Sequence, residues 1–309
     1  MQLTIVVPCY NEELVLNETA ERLSALLAEL IARGSIETGS VYFVDDGSSD
    51  GTWALIEQLA RQRPHFHGIR MSRNRGHQLA LLAGLLSVEG DAVVSLDADL
   101  QDDLGAIAQM IDAHAAGADI VYGVRGNRPG DSFLKRWTAE RYYALLASLG
   151  VEIVFNHADY RLLSRRAIDA LSQYREVNVF LRGLIPQLGF NTSIVYYERA
   201  RRFAGESKYP LRKMLTLAWD GVTSFSAVPL RMITKLGFAI SLGSLAVGLW
   251  ALGVRLFTDR AIPGWTSTVA PIYFLGGVQL LSIGIIGEYV AKIYLESKHR
   301  PRFFIDKRI

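Results

Sequence analysis

A single cysteine, Cys9, in 309 residues excludes an internal disulfide framework. Charge of one sign is also scarce: 33 Lys+Arg stand against 31 Asp+Glu, a net charge of +2. That argues against a bulk nucleic-acid binder, which carries a strong basic excess. The N-terminus lacks the basic start of a secretory signal, and Glu12-Glu13 interrupts the apolar run 3–7 too early for one. A cytosolic start is therefore expected. Internal repeats and low-complexity tracts are absent, and neither His77 nor His157 has a partner at metal-ligand spacing. What the chain has in excess is apolar residues. They make up 50% of it, and the mean hydropathy of +0.17 is high for a soluble enzyme of this size.

Residues 3–7 are a short β-branched run ending at Pro8, which predicts a buried strand. Leu16, Leu23, Leu26, Leu27 and Leu30 recur at helical spacing and predict a helix from Asn11 to about Ala32, stopped by Gly34. Further strands are expected at 41–44, 67–71, 92–96, 120–123 and 194–198. Further helices are expected at 53–62, 78–86, 103–116, 137–149 and 164–173. Alternating strands and helices imply an α/β fold, a mostly parallel sheet flanked by helices. Such sheets bind ligands at the carboxyl ends of their strands.

Residues 236–254 and 261–287 contain no charged side chain. A membrane-crossing helix needs roughly 20 residues, so two transmembrane helices are expected at about 234–257 and 266–291. Their glycines suit close helix packing and permit a dimer or tetramer. Met214, Leu217, Ala218, Val222 and Phe225 predict an amphipathic helix over 213–226, lying on a membrane surface. Basic residues flank the outer ends: Arg231 and Lys235 on one side, Lys292, Lys298, Arg300, Arg302, Lys307 and Arg308 on the other. The positive-inside rule then places both termini in the cytosol. The expected layout is a catalytic domain over 1–210, a juxtamembrane helix over 211–229, two spans within 230–295 and a basic tail over 296–309.

Three acidic elements follow predicted strand ends in order. They are Asn11-Glu12-Glu13, the run from Asp45-Asp46 to Thr52, and Asp97-Ala98-Asp99 with Asp102-Asp103. Residues two apart in extended chain point the same way, so Asp97 and Asp99 can converge on one site. Hard carboxylates suit Mg2+ or Mn2+, which binds one or two of them together with substrate phosphates. A departing diphosphate needs that neutralisation.

The runs Ile5-Val-Val-Pro-Cys-Tyr-Asn-Glu-Glu13, Val44-Asp-Asp-Gly-Ser-Ser-Asp-Gly-Thr52 and Ser95-Leu-Asp-Ala-Asp-Leu-Gln101 closely resemble those of the family 2 inverting glycosyltransferases with a GT-A fold. The resemblance covers roughly residues 2–215. Arg202-Phe-Ala-Gly-Glu-Ser-Lys208-Tyr209 and the two apolar segments narrow it to the polyprenyl-phosphate glycosyltransferases, with the bactoprenol glucosyltransferase branch most similar. The resemblance implies that Pro8, Tyr10, Glu12, Val44 and Asp46 hold the nucleoside. It implies that Asp97, Asp99 and Gln101 form the metal and diphosphate site, that Arg125 reaches phosphate, and that Arg202 and Lys208 meet the acceptor. Asp159 matches an acidic residue near the reacting centre. The implied reaction moves glucose from UDP-glucose onto undecaprenyl phosphate at the cytosolic face of the bacterial inner membrane. Other donors of the same lineage, an aminoarabinose derivative, GlcNAc or mannose, are alternatives, as is a noncatalytic membrane scaffold. Asp102-Asp103 departs from the mannose synthases, and the Gln-x-x-Arg-Trp motif of processive synthases is absent. A lipid phosphate has a second pKa near 6, so the nucleophile is already ionised and Asp159 is expected to orient more than to deprotonate. Arg125, Arg128 and Lys135 are expected in a loop over the diphosphate. His77 and His157 are assigned to packing or hydrogen bonding, and Cys9 to a buried place near the nucleotide pocket.

Overall fold

A computed structural model of the chain describes residues 1–126, 157–177, 179–198, 223, 226–257 and 264–309. The described residues up to Glu198, together with His299–Ile309, form one compact unit, and the two long helices belong to a second.

The first unit is an eight-stranded sheet. Its strands are β1 (Gln2–Cys9), β2 (Thr38–Asp45), β3 (Phe66–Met71), β4 (Ala92–Ser95), β5 (Ile120–Arg125), β6 (His157–Ser164), β7 (Thr192–Tyr197) and β8 (Ile305–Arg308). Their order is β7-β5-β6-β4-β1-β2-β3-β8. β4, β1, β2 and β3 run parallel, and β5 and β7 pair in parallel. β6 is antiparallel to both of its neighbours, and β8 is antiparallel to β3. The expected mostly parallel sheet is therefore present.

β1 is buried from Leu3 to Cys9 because helices cover both faces of a central parallel strand. α1 (Leu16–Ala32) buries Leu16, Leu23, Leu27 and Leu30 on one stripe. α2 (Thr52–Gln62) buries Trp53, Ile56 and Leu59. α3 (His77–Ser87) lies close upon β1 and β2: a Cβ at Gly84 would sit 2.8 Å from Val44 Cγ2 and closer still to Val6 Cγ1. α4 (Ala106–Ala115), α5 (Arg165–Ser172) and α6 (Leu181–Gln187) are the other helices among the unit's described residues.

Three differences from the sequence reading matter. α1 starts at Leu16, because Asn11 takes a left-handed φ of 55° and residues 11–15 thread into the loop after β2. β6 and α6 were not anticipated. The inward residues of β6 include Asp159 and Arg161, which break any apolar alternation. Within the stretch read only as a basic tail, residues 305–308 form a sheet-edge strand. The helices expected at 137–149 and 213–226, with Arg128, Lys135, Arg202 and Lys208, lie outside the described residues, save Thr223 and Ser226.

The second unit holds α7 (Val228–Phe257) and α8 (Trp265–Ser297). Both are long and apolar enough to cross a membrane, over Val228–Val247 and Phe274–Ser297, and neither stretch is buried. Leu242, Leu245, Leu280 and Leu281 are exposed, which is unlike core helices. Among the described residues, close packing does not account for six of the helix glycines. A Cβ at Gly237, Gly243, Gly276, Gly277, Gly284 or Gly287 would meet nothing within 4 Å.

Candidate active site

The carboxyl ends of β1 and β2 lie side by side, with Pro8 opposite Val44 and Cys9 opposite Asp45. Past them, two loops are laced together by side chains. Asn11 N–H donates to Ser48 Oγ at 3.0 Å, and Ser49 N–H returns to Asn11 Oδ1 at 2.9 Å. Glu12 N–H donates to Thr52 Oγ1 at 2.9 Å, and Gly51 N–H to Glu13 Oε2 at 2.9 Å. The two acidic motifs thus shape each other. Tyr10 is left half exposed above them, while Pro8 and Val44 are buried beneath.

Asp46 is gripped by a third loop. Arg75 N–H meets its Oδ1 at 2.7 Å and Gly76 N–H its Oδ2 at 2.8 Å. Each carboxylate oxygen keeps a further lone pair for a ligand. Burial raises the Asp46 pKa above the usual carboxylate value, against the lowering pull of those two amides. Cys9 is buried and its thiol is pushed well up, so it stays protonated, as its assigned place requires.

Beyond β4, Asp97 and Asp99 flank a buried Ala98. Leu100 then takes a left-handed φ of 57°, and Gln101 N–H donates to Asp99 Oδ1 at 3.2 Å. Such a conformation costs a side-chain-bearing residue about 1 kcal/mol or more and is held by its surroundings. The holder is visible. Asp102 is buried and accepts from Tyr197 Oη at 2.5 Å. Arg125 donates to Tyr197 Oη at 3.2 Å and lies 3.7 Å from Asp102. Tyr160 Oη donates to Asp103 O at 2.8 Å and its ring stands edge-on to Tyr197. The ends of β5 and β7 therefore pin the acidic loop. Burial pushes Asp97 up to about 6, opposed by His77 and reinforced by the charges of Asp159, Asp102 and Asp99.

Asp159, on β6, faces the same place and is crowded with donors. Arg161 and Arg182 form ion pairs with it, the latter at 3.1 Å. Gln78 Nε2 donates to it at 3.0 Å, and His77 Nε2 lies 3.4 Å away. The same His77 nitrogen is 3.5 Å from Asp97. Although burial would raise its pKa, these partners hold the Asp159 carboxyl well below the usual range. His77 is shifted the other way. Burial lowers its pKa, but Asp159 and Asp97 more than offset this. A carboxylate so held is a weak base and a strong anchor.

Among the described residues, no three His, Cys, Asp or Glu side chains gather as a ready metal site. Asp97 and Asp99 fit a divalent ion that takes its remaining oxygens from a diphosphate and water. The structure thus brings together Pro8, Val44, Asp46, Tyr10 and Glu12 at one end of β1 and β2, and Asp97, Asp99 and Gln101 beyond β4 with Arg125 at the end of β5 and Asp159 near the start of β6. The sequence reading missed Arg161, Arg182, Gln78 and Tyr197, and assigned His77 to packing or hydrogen bonding without naming its partners, Asp159 and Asp97. Arg182, Gln78, Tyr197 and His77 meet the site from distant parts of the chain. The one available signal was the acidic residue two before an arginine in Asp159-Tyr160-Arg161.

Residues 4–172 match the family model described as Glycosyl transferase family 2. The chain is 46% identical over 307 residues to YkoT, an uncharacterized glycosyltransferase of Bacillus subtilis, covering 98% of this chain and 91% of the relative. It is 39% identical over 306 residues to the bactoprenol glucosyl transferase of Shigella phage SfV, covering 99% and 98%. A solved structure, the mannosyltransferase PcManGT of Pyrobaculum calidifontis in complex with GDP-Man and Mn2+, is similar at a TM-score of 0.47 and 17% identity, covering 95% of this chain and 84% of that one. With a family match over more than half of its length and relatives that run through both long helices, the chain belongs to glycosyl transferase family 2.

Proposed function

We propose that this glycosyltransferase moves glucose from UDP-glucose onto undecaprenyl phosphate at the cytosolic face of the bacterial inner membrane. The observation that carries the reading is the company the catalytic sheet keeps. The same chain that gathers Asp97, Asp99 and Asp159 continues into two outward-facing apolar helices, and a relative named for a bactoprenol acceptor matches it over both. A polyprenyl substrate stays in the bilayer, so its enzyme must reach the membrane surface. Six glycines left uncovered by the described residues leave room for a second copy, and the proposed assembly is a dimer or tetramer.

In this reading Pro8, Tyr10, Glu12, Val44 and Asp46 hold the uridine. Asp97, Asp99 and Gln101 hold Mg2+ or Mn2+ against the diphosphate, and Arg125 adds a positive charge there. The bound ion supplies neutralisation of the charge that builds on departing UDP. A phosphate oxygen of the lipid attacks the anomeric carbon as the bond to UDP breaks on the opposite face, which gives a β-linked lipid phosphate sugar. The acceptor is already ionised, so the chain need only orient it. Asp159, anchored by Arg161 and Arg182, has the charge and rigidity for that task. Arg202 and Lys208 are the proposed acceptor contacts.

The test is transfer from radiolabelled UDP-glucose to undecaprenyl phosphate by the purified full chain, with and without EDTA, and mass spectrometry of the lipid. Metal-dependent formation of hexosyl phosphoryl undecaprenol is expected. Product with UDP-GlcNAc, an aminoarabinose donor or GDP-mannose alone would replace the donor. Release of nucleotide with none of them would leave the scaffold reading.

A further inference from the structure

The last strand of the sheet is made from the last residues of the chain, after both long helices, and it pairs next to the donor end. Gly68 and Ile309 exchange both backbone hydrogen bonds at 3.0 Å, and Ser72 N–H donates to Phe304 O at 3.0 Å. The register sets Ile69 against Arg308 and Arg70 against Lys307. Antiparallel pairs alternate, so Arg70 and Lys307 form the next doubly bonded pair after Gly68 and Ile309. The Ile309 side chain sits so close that a Cβ at Gly68 would lie 2.9 Å from it. Upstream, Arg302 Nη1 donates to Tyr174 O at 2.9 Å.

What β8 braces is informative. Ser72 is the first residue after β3, and the loop it opens runs through Arg73, Asn74, Arg75 and Gly76. That loop supplies both amides that grip Asp46. It also touches the β2 loop backbone to backbone: a Cβ at Gly47 would lie 2.7 Å from Asn74 N and 2.8 Å from Arg73 C. Without β8, β3 would be an edge strand with unpaired N–H and C=O groups. Its end, which aims the 72–76 loop, would then be tethered on one side only.

We propose that the C-terminal strand 305–308 is a positioning element for donor binding. It clasps β3, fixes the 72–76 loop and so holds Asp46 in place. The donor pocket is thus completed by residues that follow the membrane helices in the chain, although β8 itself touches no substrate. The inference rests on the assignment of Asp46 to the nucleoside.

The test uses the full chain in detergent, the variant Lys307→Pro, which removes a ladder N–H, and a deletion of 304–309. The probe is UDP. Weakening by about tenfold, the equivalent of one charge-assisted hydrogen bond, is expected in both variants. Turnover at saturating donor should stay within about twofold, and the amides of Arg75 and Gly76 should exchange faster. A synthetic peptide of residues 299–309 should restore UDP affinity to the deletion variant. UDP affinity unchanged while 305–308 are released or absent would overturn the proposal, as would unaltered protection at Arg75 and Gly76. If the deletion variant fails to fold, Lys307→Pro decides. If the unaltered chain does not bind UDP, the donor reading fails, and exchange at 72–76 still decides the clasp.

Discussion

Arg161 is completely buried, and among the described residues its Nε and Nη1 have no hydrogen-bond partner. Its charge is offered to one carboxylate, Asp159. Removing one member of such a buried pair costs about 3–5 kcal/mol, because the other charge is stranded. Asp159→Asn should therefore lower stability by that amount in denaturant unfolding, while Asp159→Leu with Arg161→Met should recover most of it and still be inactive. The pH dependence has a definite sign. A carboxyl whose folded pKa lies below its unfolded value of about 3.9 contributes fully above that value and loses its contribution as pH falls toward the folded one. The stability gap between wild type and Asp159→Asn should then be constant above about pH 4 and narrow only as the pH falls below it. In the rate assay, raising the pH should not restore Asp159→Asn, since a carboxylate this firmly paired is not the base. His77 supplies the second residue-scale prediction. A packing role would cost stability, whereas a bridge between Asp97 and Asp159 costs rate. His77→Ala should lose about 10–100-fold in turnover, the range for residues that orient site ligands, with a melting temperature near that of the wild type. A large melting loss with little rate loss would return His77 to packing.

At the scale of elements, the loop from Asp97 to Asp103 depends on strands far from it in sequence. Tyr197 at the end of β7 donates to Asp102, and Arg125 at the end of β5 faces both. Tyr197→Phe removes the donor and keeps the ring. The apparent affinity for Mn2+ should fall about tenfold in a metal titration of UDP release, as for other lost outer-shell contacts. An unchanged midpoint would show that the loop holds itself. This dependence also explains what the sequence made legible. Elements β1 to β5 were readable because apolar runs and leucine spacing follow the strand and helix periods, and because the acidic motifs stand at strand ends. Asp46, Asp97 and Asp99 could be placed from local pattern alone. β6 could not, since Asp159 and Arg161 occupy inward positions where the period calls for apolar side chains. β8 is four residues with every side chain exposed, so no periodicity marks it. Arg182, Gln78 and Tyr197 join the site only through tertiary contacts, 23, 81 and 95 residues from their partners.

For the whole molecule, connectivity constrains topology. The chain leaves the sheet unit before α7 and returns to it after α8, because His299–Ile309 belong to that unit and β8 pairs with β3. A chain whose two ends share one folded unit can cross a bilayer only an even number of times between them. With two helices of spanning length among the described residues, both of these cross or neither does. Outward leucines on both make the aqueous alternative costly, at about 25 cal/mol for each Å2 of apolar surface left in water. Basic residues beyond the outer ends are the ground on which the sheet is proposed to face the cytosol. Cysteine labelling tests this with little background, since the single native thiol, Cys9, is buried. With an impermeant maleimide on intact spheroplasts, Gly264→Cys, between the helices, should be labelled. Lys298→Cys, just past α8, should be labelled only after lysis. Labelling of both from one side would mean that the helices lie along the surface, and the paired outer ends would then carry no information about sidedness.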